Sequence, residues 1–136
     1  MSMVPIELVK IIIDEKNHDQ AVVLREKGGT RQIPIVIGLV EATSIQMKIS
    51  NVEAPRPLTH DLLTSVIKAL GAEVESLSID DLVDGTFFAK LRLRDKTGHL
   101  ISIDCRPSDG IALAVRYKCP MSVDEKVFSQ ALTNDL

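Results

Sequence analysis

Apolar residues along this chain recur at one of two spacings, every second position or at i, i+3, i+4 and i+7. Each change from the first to the second marks a strand giving way to a helix. Val4 to Asp14 and Ala21 to Arg25 are rich in Ile and Val and read as two strands joined by the polar turn around Asn17-His18-Asp19. Gln32 to Ile37 follows Lys27-Gly28-Gly29, whose paired glycines suit a tight hairpin, so three antiparallel strands are expected. Gly38 ends the third. Leu39 to Ser50 then carries Ala42, Ile45 and Ile49 at helical spacing, with Glu41 near the helix start.

Asn51 to Pro57 reads as a loop, because Pro55 and Pro57 each push the preceding residue out of helical geometry. Thr59 suits the N-cap of a second helix and Asp61 its first turn, and Gly71 is the expected stop. Leu62, Leu63, Val66, Ile67 and Leu70 form the stripe expected to be buried. From Glu73 the scheme restarts. A strand runs to about Ile79, an Asp-rich turn ends in Asp84-Gly85, and a strand covers Thr86 to Arg94. After the turn Lys96-Thr97-Gly98 a third strand enters Cys105. Ile101 and Ile103 keep strand period, whereas Ile111, Ala112, Ala114 and Val115 keep helical period, and the change falls at Arg106-Pro107; Ile103, Ile111, Leu113 and Val115 are expected to be buried. Proline fits the first helical position, where its missing N–H is not needed, and this places Asp109 in the first turn. Beyond Cys119-Pro120 come a short extended piece and a last helix over about Asp124 to Leu132.

A shift of 68 residues lays IPIVIGLVEATSI, from Ile33, over ISIDCRPSDGIAL, from Ile101, and sets Glu41 on Asp109. Any strand that enters a helix gives some such overlay, but the order of elements also repeats, three strands then two helices. That order is what a duplicated βββαα unit leaves behind. The expected fold is α+β, a mainly antiparallel sheet with helices, in one domain over residues 1–136.

No apolar run approaches the length of a membrane span and the N-terminus lacks the order of a signal peptide, so a cytoplasmic protein without membrane contact is expected. The two cysteines, Cys105 and Cys119, lack metal-binding spacing and read as buried thiols. A formal net charge of −3 argues against electrostatic coating of nucleic acid, and the absence of Trp removes stacking platforms. A local site can still act on nucleic acid.

Two Arg-Pro corners carry the candidate chemistry, RPLTHD (Arg56 to Asp61) and DCRPSD (Asp104 to Asp109). Each sets a cation beside a helix N-terminus, where free amides and a bidentate guanidinium suit a phosphate. Arg56, Arg106 and Ser108 are the candidate phosphate contacts. Asp104, Asp109, Glu41 and Asp61 offer the oxygen ligands that Mg²⁺ or Mn²⁺ prefers, and His60 can move a proton. Asp104 and Asp109 with His60 are the candidate catalytic residues. The same residues also serve helix starts for stability alone. His18 and His99 sit by turns and read as solvated.

IPIVIG with Glu41-Ala42, then RPLTHDLL, DGTFFAKLRL and IDCRPSDGIALAV, followed by CPMSV, resembles the bifunctional nuclease domain family over about Val4 to Leu132. Cys105 and Gly110 stand where that resemblance leads one to expect a small residue such as Ala. The resemblance implies a compact α+β domain that cleaves DNA and RNA. A divalent-metal-dependent nuclease acting on either nucleic acid is therefore the first expectation. A non-enzymatic anion-binding or assembly domain is the second. The apolar runs Ile11-Ile12-Ile13 and Ile33 to Ile37 suggest surfaces covered on both sides, by helices or by another subunit, and so a homo-oligomer.

Overall fold

The computed structural model describes residues 2–14, 16 and 19–134. The turn residues 17–18, with His18, lie outside them. In chain order the elements are β1 (Met3–Asp14), β2 (Asp19–Glu26), β3 (Gln32–Ile37), α1 (Leu39–Ile49), α2 (Thr59–Ala69), β4 (Glu73–Val83), β5 (Thr86–Arg94), β6 (Leu100–Cys105), α3 (Pro107–Tyr117), β7 (Met121–Asp124) and α4 (Glu125–Asn134). The fold is α+β. One seven-stranded sheet has the order β3-β2-β1-β7-β4-β5-β6, and its strands pair antiparallel except β4 with β7.

Local chemistry accounts for the boundaries. Asp84 and Gly85 both have positive φ, 50° and 79°, which is the type I′ turn whose twist matches that of the flanking strands. Gly71, at φ 79°, closes α2: its N–H bonds Lys68 O and that of Ala72 bonds Ile67 O, the Schellman pattern. Arg106 is the N-cap of α3 and Pro107 its first residue. Leu58, rather than Thr59, caps α2, because Asp61 reaches back and its Oδ2 accepts from the Leu58 N–H at 2.9 Å.

The short extended piece after Pro120 becomes β7, the middle strand of the sheet. The order reads the same outward from β7, with β1, β2, β3 on one side and β4, β5, β6 on the other. Since β7 is antiparallel to β1 and parallel to β4, those two run in opposite directions, as a two-fold axis normal to the sheet requires. The 68-residue shift carries β3 onto β6 and α1 onto α3 residue for residue. The two βββα halves meet where α1 packs on α3 over one face of the sheet. Val22, Leu24, Ile33 and Ile35 from one half and Leu77, Ile79, Leu91 and Ile111 from the other form a single core beneath them.

Two burial expectations are overturned. Ile103, like Ile101, is on edge strand β6 and is more than a third exposed, because among the described residues no helix covers that edge. Leu62, Leu63, Val66 and Leu70 of α2 are also exposed; only His60 of that helix is buried, with Ile67 partly so. Ile111 and Leu113 are buried as expected and Val115 is half-buried.

Candidate functional site

The pseudo-two-fold brings the β3-to-α1 and β6-to-α3 corners together, so Glu41 and Asp109, equivalent in the repeat, face each other. Arg106 joins them. Its Nη2 donates to Glu41 Oε1 at 2.9 Å and its Nε to Asp109 Oδ2 at 2.9 Å. Bonds to Asp109 first, then Glu41, raise the guanidinium pKa above its usual value, so the cation is permanent. Gly38 stands where the repeat has Arg106, and it makes room: a Cβ there would lie 2.5 Å from Glu41 Oε2. One half supplies the arginine and the other the gap that lets a carboxylate fold back to meet it.

From Asp109 the bonds run inward. Asp109 Oδ1 lies 2.9 Å from His60 Nε2, and His60 Nδ1 lies 2.7 Å from Ser44 Oγ. Arg116 Nη2 donates to Ser44 Oγ at 3.0 Å, while its Nε donates to Asp61 Oδ1 at 2.8 Å. These contacts select one tautomer. A carboxylate only accepts, so Nε2 carries the proton; Nδ1 then accepts from the Ser44 hydroxyl, whose oxygen in turn accepts from Arg116. The chain of bonds starts at an arginine whose side chain is 68% exposed and passes through a second that is only 6% exposed. The guanidinium of Arg116 holds Asp61 below the ordinary carboxylate range.

The sequence-predicted residues divide accordingly. Glu41, His60, Asp61, Arg106 and Asp109 belong to one connected chain, which ties the RPLTHD segment to the RPSD segment. Ser108, buried at the start of α3, lines with Arg106 a cavity of about 400 Å³ that also reaches Gly38, Ile37 and Thr86. Arg56 lies on the exposed loop before α2, outside the chain of bonds. Asp104 stands apart. Cys105, next to it, points at Gly110 of α3, and side chains alternate along a strand, so Asp104 faces away from the helices beside its cross-strand neighbour Lys90. Burial, with help from Asp104, pushes the Cys105 thiol up to about 11, which keeps it protonated at neutral pH. His99 is exposed in its turn.

Ser44 and Arg116 escaped the sequence reading. Their signals are faint: a serine on the otherwise apolar buried face of α1, and an arginine seven residues after Asp109, hence on the same side of α3. A second cavity, about 320 Å³ and lined by Leu39, Val40, Thr43 and Leu58, opens onto the Ser44–His60 pair.

Glu41 and Asp109 both have Arg106 as their partner. Among the described residues no three His, Cys, Asp or Glu side chains group as metal ligands. The donor set thus does not fit a preformed Mg²⁺ or Mn²⁺ site.

Fold and site define an α+β domain with a surface guanidinium held by two carboxylates and backed by a buried Ser–His–Asp chain. The model of the bifunctional nuclease domain matches residues 22–135, and the chain belongs to that family. It is 40% identical over 126 residues to an uncharacterized protein of Mycobacterium tuberculosis, covering 93% of this chain and 74% of that one. Bifunctional nuclease 2 of Oryza sativa subsp. japonica is 33% identical over 114 residues, and bifunctional nuclease 1 of Arabidopsis thaliana 31% over 115. Each of these two plant matches covers 82% of this chain but only 35% of the plant protein.

Proposed function

We propose that this domain is a cytoplasmic nuclease that hydrolyses phosphodiester bonds of DNA and RNA at the Arg106 corner. The observation that carries this reading is that the two Arg-Pro segments that carry the resemblance to the family, RPLTHD and RPSD, converge there through His60 and Asp109, beside an open cavity. Arg106 receives the phosphate, since a planar fork of donors matches two of its oxygens, and Ser108 supports it from the cavity wall. Binding shifts Arg106 from its carboxylates toward the substrate, which leaves Asp109 or Glu41 free to accept one proton from the attacking water; as the water oxygen bonds to phosphorus, the P–O bond to the sugar oxygen breaks and that oxygen takes its proton from solvent. His60 orients Asp109 through Nε2–H, and Ser44 with Arg116 fixes its tautomer. Both ring nitrogens of His60 are occupied, so it moves a proton itself only after one of these bonds opens.

Mg²⁺ or Mn²⁺ belongs in the assay because such ions commonly share one or two carboxylates with a substrate phosphate. Purified protein should cleave fluorescently labelled single-stranded DNA and RNA, with metal or chelator present, and Asp109→Asn prepared identically should lose that activity while keeping its circular dichroism. Full activity in Asp109→Asn removes the corner from the chemistry. The second reading, an anion-binding domain without catalysis, is favoured by the full pairing of Arg106 with two carboxylates. It takes over if wild type binds the oligonucleotides but cleaves none under any of these conditions.

A further inference from the structure

Pro34 fixes which way the backbone of edge strand β3 faces. It has no N–H, and a proline within a paired strand sits where its backbone turns to the free edge, so the hydrogen bonds to β2 come from Ile33, Ile35 and Ile37. Val36, two residues on, therefore presents both its N–H and its C=O to the open edge. Among the described residues no further strand pairs with β3 there and no loop backbone bonds to Val36. The cavity of about 400 Å³ beside Arg106 runs along this edge, because it is lined by the consecutive residues 34–38, which are alternately exposed and buried as they point to the two faces of the sheet. Phe87 of β5, half-buried, forms another wall. Ser108, only 5% exposed, lines the cavity with a hydroxyl that has no partner among the described residues. One space thus offers an arginine, an unpartnered hydroxyl, an aromatic wall and a free backbone donor beside a free backbone acceptor, at a volume typical of small-molecule sites.

We propose that this cavity holds the base of the nucleotide whose phosphate Arg106 receives, and that the backbone of Val36 selects adenine. The proposal rests on the reading of Arg106 as a phosphate contact. Its chemistry follows from what each base can show to one N–H and one C=O side by side. Adenine presents an acceptor beside a donor on both of its edges, N7 or N1 next to the N6 amino group. Guanine has two acceptors, N7 and O6, on the first edge, and on its base-pairing edge it has donor and acceptor in the opposite order. Pyrimidines offer such a pair only on their base-pairing edge, and their single ring fills less of the cavity. Phe87 gives the ring an apolar face to lie against, a contact that every base can make and that adds affinity without selecting.

The test is titration calorimetry on the whole chain in metal-free buffer with the 5′-monophosphates of adenosine, guanosine, inosine and uridine. The adenosine nucleotide should bind on the order of tenfold more tightly than the others, toward the low end of what a bidentate base contact supplies. Inosine monophosphate, with a carbonyl in place of the amino group on the same ring system, should bind no better than the guanosine nucleotide. Val36→Pro removes the N–H from an exposed position of the strand that already accommodates Pro34, and should erase the preference; Val36→Ala keeps both backbone groups and should retain it. If circular dichroism shows Val36→Pro misfolded, the Val36 amide proton of wild type serves instead, and it should shift in NMR spectra with the adenosine but not with the inosine nucleotide. Equal affinity for those two overturns the proposal, as does a folded Val36→Pro that still discriminates, or a wild type that binds none of the four. Binding needs no cleavage, so the two readings fail separately. Adenosine-selective binding by a protein that cuts no oligonucleotide supports the base site and removes the nuclease, whereas cleavage with no such selectivity removes the base site and leaves the nuclease.

Discussion

Arg106→Ala separates a functional arginine from a structural one. In the folded protein the side chain makes two ion pairs at 2.9 Å, but it is 68% exposed. Exposed pairs of this kind contribute about 0.2–1 kcal/mol each before salt screening. Removing both should therefore cost about 1 kcal/mol, offset in part because a guanidinium no longer has to be held in one geometry. For a chain of this length that is a fall in Tm of roughly 4 °C. The effect on turnover should be of another size. A positioned donor to charge that develops in the transition state contributes about 10²–10³ in kcat, so Arg106→Ala should lower cleavage by about that factor, and Arg106→Lys should recover only part of it. The assay is paired: a melting curve and single-turnover cleavage of labelled single-stranded DNA on the same preparation. A variant that loses several kcal/mol of stability but keeps its rate would show that Arg106 clamps the two halves and has no part in turnover.

Leu113 is 5% exposed in α3, so Leu113→Ala should cost roughly 2–5 kcal/mol, and an unchanged urea midpoint would refute its placement. Gly110→Ala sets helix propensity, about 1 kcal/mol in favour of Ala, against a Cβ only 2.5 Å from Leu77 Cδ1 and 3.1 Å from Cys105 Sγ. Overpacking of about 1–3 kcal/mol should win, since Leu77 is fully buried, and Leu77→Val should relieve it in a double-mutant cycle; a Gly110→Ala protein more stable than wild type would contradict this. Asp61 has its pKa depressed from 3.8 by Arg116, so its contribution to stability is present above that value and is lost as pH falls through the lower folded pKa. Asp61→Asn should therefore flatten the acid limb of a Tm-against-pH curve below about pH 4, and an identical limb would show that Arg116 does not hold that carboxylate in solution.

Much of the fold could be read in the sequence because its punctuation is local. Asp84-Gly85 forces a hairpin wherever it stands, Gly71 stops α2 by its own backbone conformation, and the change of apolar period at Gly38 and Arg106 needs no distant partner. What was not legible depends on distant partners. The four-residue β7 has too little pattern to reveal that it fills the centre of the sheet, since both its neighbours are distant in sequence, β1 by most of the chain and β4 by three intervening elements. Helical spacing correctly marked an apolar stripe on α2, but periodicity says which residues share a face and not whether anything lies against it. In the site, Glu41, Asp109 and His60 were visible as charged or titratable residues near helix starts. Ser44 and Arg116 acquire meaning only once α1, α2 and α3 are packed, and Asp104 looked like part of the corner because sequence adjacency hides the alternation that turns it to the opposite face of the sheet.

The repeat also explains why this domain has one corner of interest and not two. A perfect duplication would place an arginine at both strand-to-helix junctions, and two guanidiniums beside the same axis would repel each other. Here the first junction carries Gly38 and the second Arg106, so a single cation sits between two equivalent carboxylates. The second departure is His60, whose repeat counterpart is Phe128: one half buries an aromatic ring against the core, and the other buries an imidazole at the same place and connects it to Asp109. Both departures bear on the same carboxylate. Asp109 is thus the point where loss of symmetry has turned a packing junction into a polar site, and it is the residue whose substitution should separate activity from stability most cleanly.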